Sequence, residues 1–417
     1  MRITKKFLFL LPLILAHLGF ESRAENEWTG WLGPDRSGFV HGFEPPPEWP
    51  EQLQEIWKVN VGTGYGTPLV SGDRVYQHAR QNNEEVLWCL SLKTGDTLWR
   101  QTKPMPFKMG GGGEFHGKGP KSNPTLAGGR IFTMSITGVL SAFDASSGTP
   151  LWSKDFSDRF QKPHPYWGAC TSPLADESRV FIRFGGDDDG LLVAFDAQSG
   201  RKIWTLGKDG AAYASPLFAV IDGVKQVVEW NHNSLTGVDY ETGKRLWDYP
   251  FAHVGTNQNM PSPALYKESI IVGGENRGIR RVIPSLENGK WSVEERWYQK
   301  RFALDMSSAI VSGDYLYGLS HFRMGQLFCL SAETGEPVWT GPGRSGENAT
   351  FLAIPGHIIT LLNEGEIQIL RSGVKSLEKV ASYQVSEHPT WAAPVLLRNG
   401  FLIKDRETLS YWSLNIR

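Results

Sequence analysis

The sequence predicts an all-β protein, an eight-bladed β-propeller of four-stranded antiparallel blades, and three observations carry that prediction. A thirteen-residue unit returns five times: LWCLSLKTGDTLW at 87–99, LSAFDASSGTPLW at 140–152, LVAFDAQSGRKIW at 192–204, LTGVDYETGKRLW at 235–247 and LFCLSAETGEPVW at 327–339. A tryptophan closes each unit, and Trp57, Trp99, Trp152, Trp204, Trp247, Trp297 and Trp339 stand 42 to 53 residues apart, the period of one four-stranded blade. Eight short strand starts recur as well: GTPLV (66–70), SNPTL (122–126), TSPLA (171–175), ASPLF (214–218), PSPAL (261–265), SSAIV (307–311), ATFLA (349–353) and AAPVL (392–396).

Taken in order, the chain begins with Arg2, Lys5 and Lys6 ahead of an apolar run from Phe7 to Phe20, and Ser22-Arg23-Ala24 follows. This is the pattern of a secretory signal peptide cleaved after Ala24, and the run is short for a membrane-spanning helix. Residues 1–24 are therefore expected to be a leader, with no integral membrane segment after cleavage, and the protein to be extracytoplasmic, in the periplasm or secreted. No cysteine lies near the cleavage site for a lipid anchor. Loss of the leader moves the formal charge from −1 to −4, which suggests neither nucleic acid nor an anionic membrane surface as partner.

Residues 25–52 form an N-terminal arm, EWTGWLGPDRSGF (27–39) and then the stiff EPPPEWP (44–50). Trp28 and Trp31 are expected to anchor it on the exterior or on one face. The propeller domain spans 53–417. In each unit an alternating strand leads to a polar turn, where Asp or Ser can bond its own backbone and Gly can take positive φ; a second strand then ends on Trp. The Trp ring is expected to wedge between adjacent blades, stabilising by roughly 2–3 kcal/mol.

The eighth start leaves room for three strands, ending near TLSYWSLNIR (408–417), while EIWKVNVG (55–62) supplies Trp57 without a hairpin before it. Pairing these two ends would close the ring and remove its free edges. The hairpins of blades five (285–297) and seven (370–380) are degenerate, so seven blades is the alternative. Cys89 and Cys329 fall in one repeat slot, where other copies have Ala142, Ala194 and Gly237, which assigns them to packing; with Cys170 the count is odd, and the spacing excludes a CxxC zinc site.

Over residues 53–417 the repeat resembles the PQQ-like, or quinoprotein-like, β-propeller family. That family includes alcohol dehydrogenases using pyrroloquinoline quinone and the non-enzymatic propeller lipoprotein of the outer-membrane β-barrel assembly machine. The WxxW-x-GPxRxG arm is similar to the leader segment of its extracytoplasmic members. The resemblance implies a quinone held over calcium by Glu, Asn and Asp and pressed on an adjacent-cysteine disulfide in the dehydrogenases. This chain has no such cysteine pair and no motif that maps those ligands; Asp305 and Glu275 are substitutes by position alone.

Loops joining one blade to the next share a face with the turns between second and third strands. That face collects His116, Lys118, His164, Trp167, His253, Asn257, Asn276, Arg277, His321, Arg323, His388 and Trp391, a candidate ligand site at the funnel of the ring. No HxH or HxxxH pair marks a metal site, and none is expected. Asp187-Asp188-Asp189 reads as a solvated turn, and the glycine run at 110–121 as an inter-blade insertion, since it lacks the ending of a phosphate loop. The functional expectation is a scaffold that binds a protein segment or small molecule at the funnel face, without catalysis and with no cofactor. The alternatives are a quinone- and calcium-dependent dehydrogenase and a metal-dependent hydrolase or lyase with a histidine-rich funnel.

Overall fold

The computed structural model describes residues 26–107, 116–160, 167–186, 189–255 and 259–414. The expected leader lies outside these residues. Eight antiparallel sheets follow one another along the chain, so eight blades, not seven, make the ring. Blade 1 sets the pattern with Leu69–Ser71, Arg74–Gln81, Glu84–Ser91 and Thr97–Pro104. Second and third strands are almost wholly buried and fourth strands largely exposed, as expected of sheets stacked face to face with their outer edges in water. Blade 8 joins Val395–Leu397, Gly400–Lys404 and Thr408–Ser413 to Gln54–Asn60, with Trp57 opposite Tyr411. The ends of the chain thus close the ring in one sheet, as the repeat arithmetic requires.

The tryptophans wedge between blades. Trp57 Nε1 donates to Leu92 O (2.8 Å), Trp152 to Ala197 O (3.1 Å), Trp204 to Tyr240 O (3.1 Å) and Trp297 to Ala332 O (3.1 Å). Each acceptor lies in the hairpin of the next blade, three residues before its glycine. Gly200 shows why that residue must be glycine: its φ is +66°, and a Cβ there would stand 2.6 Å from the Trp152 ring. Trp247 and Trp339 face blades 5 and 7, whose degenerate hairpins offer no such seat. Trp247 turns back to Gln226 Oε1 (2.7 Å) over Gly237 of its own blade; Trp339 Nε1 has no partner, and neither has Trp99 Nε1, although the Trp99 ring packs on Gly148 of the regular blade 2 hairpin.

One feature survives where the hairpin does not. In every blade a register shift falls just before the tryptophan slot, so that Leu98, Leu151, Ile203, Leu246, Arg296, Val338, Val380 and Ile56 are each an extra residue opposite none. Such a bulge bends the strand and re-aims the next side chain, here toward the neighbouring blade. It also explains why Ile56, Leu98, Leu151 and Val380 are exposed aliphatics: they are bulged out of the sheet face.

A polar girdle ties the strand starts together around the axis. Thr67 N donates to Asn123 Oδ1 (2.7 Å), Asn123 N to Ser172 Oγ (3.0 Å), Ser172 N to Ser215 Oγ (3.2 Å), Ser215 N to Ser262 Oγ (2.8 Å) and Ser262 N to Ser308 Oγ (2.9 Å). These buried amides have no strand partner on the axial side, and a hydroxyl or amide one blade on satisfies each.

The arm runs inside the ring, not over its exterior. Glu27–Trp28 pairs with Val70–Ser71 on the inner edge of blade 1, and Phe39 bridges Ala353 of blade 7. Trp28, Leu32, Val40 and Phe43 join the core built from blades 1, 6, 7 and 8. The reason is physical: innermost strands leave unpaired backbone groups toward the axis, and the arm covers some of them.

Candidate functional site

The first strands run from the funnel face, where they begin, to the turns that end them near Gly72 and Gly356. At their starting end lies a cavity of about 170 Å³ lined by Tyr65, His116, Lys121, Trp167, Cys170, Tyr213, Met260, Met306 and Trp391. His116 is its centre. Its ring meets Trp167 edge to face at 4.8 Å, Trp391 at 4.9 Å and Tyr65 at 6.5 Å, and Tyr65 meets Trp391 at 6.3 Å. Tyr213 braces the wall by accepting a hydrogen bond from Trp167 N (2.9 Å).

Burial, with the nearby charge of Lys121, pulls the His116 pKa down to about 4, so its imidazole is neutral at pH 7. Burial also lowers that of Lys121, whose Nζ donates to Gly117 O (3.0 Å). Cys170 is pushed up to about 12 by burial and donates to Gly168 O (3.4 Å), which leaves an unreactive thiol. An aromatic and thioether surface with a neutral imidazole and an amine is equipped to hold a ligand. It presents no nucleophile paired with an oriented base among the described residues.

Three of the expected site residues, His116, Trp167 and Trp391, line this cavity. His164 and Asn257 lie outside the described residues. A second group gathers between blades 4 and 6. His253 lies 4.7 Å from His232 with the rings tilted at 45° and donates its amide to His232 O; Arg277 lies over Trp230 and Phe251 and donates to Ala252 O (2.6 Å); His321 sits between Ala303 O (3.2 Å) and the Asn276 side chain (3.1 Å). Beside it Asp305 is raised to about 6 by burial and by Glu275. Lys118, Arg323 and His388 are exposed, Arg323 with φ of +58°, and the amide of His388 donates to Ser386 Oγ (3.0 Å).

Tyr65, Lys121, Cys170, Tyr213, Met260 and Met306 were not among the expected site residues, yet the repeat register marks them. Together with Trp391 they stand three residues before the strand-start positions Pro68, Pro124, Pro173, Pro216, Pro263, Ala309 and Pro394. One slot of the repeat therefore faces the funnel in seven blades.

The described residues do not assemble the acidic cluster that a quinone over calcium would use. Calcium takes six to eight oxygen ligands, and among the described residues no three His, Cys, Asp or Glu side chains come together in a way that could hold a metal. Cys89 and Cys329 are buried elsewhere as free thiols, leaving Cys170 alone at the cavity. Among the described residues no helix is long and apolar enough to cross a membrane.

The chain is 28% identical over 230 residues to outer membrane protein assembly factor BamB of Shewanella oneidensis, covering 52% of this chain and 55% of that protein. It is 23% identical over 361 residues to BamB of Yersinia pestis, covering 82% of this chain and 85% of that one. In fold it is similar to the quinohemoprotein alcohol dehydrogenase of Comamonas testosteroni, with a TM-score of 0.66 at 12% identity over 94% of this chain and 81% of that one. The family described as outer membrane protein assembly factor BamB matches residues 83–341, and since that stretch covers more than half of the repeat-built ring, the chain belongs to that family.

Proposed function

We propose that the protein is an exported propeller that works as a binding scaffold without catalysis, and that its funnel cavity takes a side chain of a protein segment. The observation that carries this reading is the enclosure of neutral His116 by Trp167, Trp391 and Tyr65 beside Met260 and Met306. Aromatic rings give large contact area at low entropy cost, and thioethers adapt to varied partners. The names of the sequence relatives, outer membrane protein assembly factors, support a protein partner and an extracytoplasmic place. The expected leader at 1–24 agrees with export.

The test uses the mature full chain and a tiled array of peptides from outer-membrane β-barrel proteins. Trp167→Ala with Trp391→Ala should reduce binding at least tenfold while the thermal midpoint stays within a few degrees. Equal binding by the double variant would remove the cavity from the function. A titration with pyrroloquinoline quinone and Ca²⁺ should be flat; saturable one-to-one binding with dye-linked alcohol oxidation would replace the scaffold by a dehydrogenase.

A further inference from the structure

At the opposite end of the axial channel from the funnel, the arm is held as a ligand is held. Glu27–Trp28 adds a short strand to blade 1, Leu126 N of blade 2 donates to Thr29 O (2.8 Å), Ala353 N of blade 7 donates to Gly38 O (2.8 Å), and Val40 N donates back to Ala353 O (2.8 Å). These are the main-chain exchanges by which an extended peptide binds a sheet edge. Between them the chain turns through Gly33 and Gly38, with φ of +90° and +76°, and presents Arg36 toward the axis.

Arg36 reaches three blades at once. Its Nη1 donates to Pro216 O of blade 4 (2.7 Å), and its Nη2 to Thr125 Oγ1 of blade 2 (3.1 Å) and to Pro173 O of blade 3. No acid among the described residues pairs with it, and the enclosed guanidinium, which keeps its proton in proteins, has its pKa pulled down by burial. Its charge is met by carbonyl dipoles in a fork geometry that a lysine cannot reproduce. Gly38 sits so close to Ile310 of blade 6 that a Cβ would lie 2.9 Å from its Cγ2. A void of about 50 Å³ remains between Trp31, Leu32 and Arg36 on one side and Leu217, Ala264 and Leu265 on the other.

We propose that this end of the channel is a peptide-binding site, filled in cis by residues 27–43, that recognises an arginine carried on a glycine-bounded turn. The innermost strands supply the site: the carbonyls of Pro173 and Pro216 and the hydroxyl of Thr125 form a receptor for one guanidinium deep in the channel, while the inner edges of blades 1, 2 and 7 take the backbone. Its occupant is this chain's own arm, which closes the channel and makes the funnel a one-ended pocket. The site is independent of what the funnel binds.

The experiment uses the full mature chain, its Arg36→Ala and Arg36→Lys variants, and a synthetic peptide of residues 26–43. In Arg36→Ala, amide exchange at Leu126 and Ala353, which donate to the arm, should rise at least tenfold, with fourth-strand amides unchanged. The free peptide should then bind Arg36→Ala one to one and fail to bind the wild type, whose site is filled. A peptide carrying lysine in place of the arginine should bind at least tenfold more weakly. Unchanged exchange at Leu126 and Ala353 would overturn the role of Arg36, and a released arm with no peptide binding would overturn the site. If Arg36→Ala does not fold, Arg36→Lys, which keeps the charge and loses the fork, carries the same readouts, and wild-type exchange in it overturns the proposal.

Discussion

The two ends of the axial channel are built from the same eight strands and treated in opposite ways. At the far end the arm buries Trp28 to 2% exposure and satisfies backbone groups of blades 1, 2 and 7. At the funnel end, aromatic rings line a cavity, and burial lowers the pKa of His116 and raises that of Asp305. Both ends bury ionisable groups at a cost, Arg36 at one and His116 and Asp305 at the other, so the difference lies in what meets them. The far end satisfies its charge with the chain's own carbonyls, and the funnel end leaves its rings around a cavity, the arrangement on which the proposed binding role rests.

The largest expected effect compares one tryptophan from each end. Trp28→Ala should lose about 3–5 kcal/mol in urea unfolding, the range for emptying a buried aromatic site, and Trp391→Ala under about 1 kcal/mol. Equal losses would break the contrast. Next comes Asp305, whose pKa of about 6 lies above the ordinary carboxylate value. The folded state therefore holds that proton more tightly than the unfolded one, and stability falls as pH rises from about 4 through 6. Asp305→Asn should be more stable than wild type by roughly 1–3 kcal/mol at pH 7 and equal to it below pH 4, read from unfolding free energy against pH.

His116 works in the other direction. Its folded pKa of about 4 lies below the unfolded value, so its contribution is fully present above about 6.5 and is lost as pH falls through 4. His116→Phe should remove about 1–2 kcal/mol of acid sensitivity, discounted for its partial exposure, and Asp305→Asn should unmask it. A pH profile unchanged in His116→Phe would show that the ring is not desolvated. The smallest effect belongs to the girdle that both ends share: Ser262→Ala orphans the Ser215 amide and should cost about 1 kcal/mol.

Much of the ring was legible because its rules are local and repeated. Gly200 and Trp152 lie within one period of each other, and both are needed for one contact, so the pair leaves a trace in every regular blade. The bulge left no such trace, since residues as different as Leu98, Arg296 and Val380 fill it; it is a property of backbone twist rather than of side chains. At the funnel, polarity was a poor guide. His253 and Arg277 went to ring contacts and backbone carbonyls, whereas Tyr65, Met260 and Met306, ordinary core types, form the cavity wall. Of the two places expected for the arm, the exterior and one face, sequence could not choose, because its partners, Leu126, Pro216 and Ala353, are scattered over the chain and meet only when the ring forms.

That closure also sets an order of events in time. Gln54–Asn60 finds its partner only in Thr408–Ser413, and Tyr383 grips Pro50 across 333 positions of chain. A protein synthesised from its N-terminus must keep the strand at 54–60 waiting until the strand at 408–413 has arrived, with a long loop closure delaying that step. The same joint that completes blade 8 therefore leaves the unfinished chain with unpaired edges exposed to aggregation.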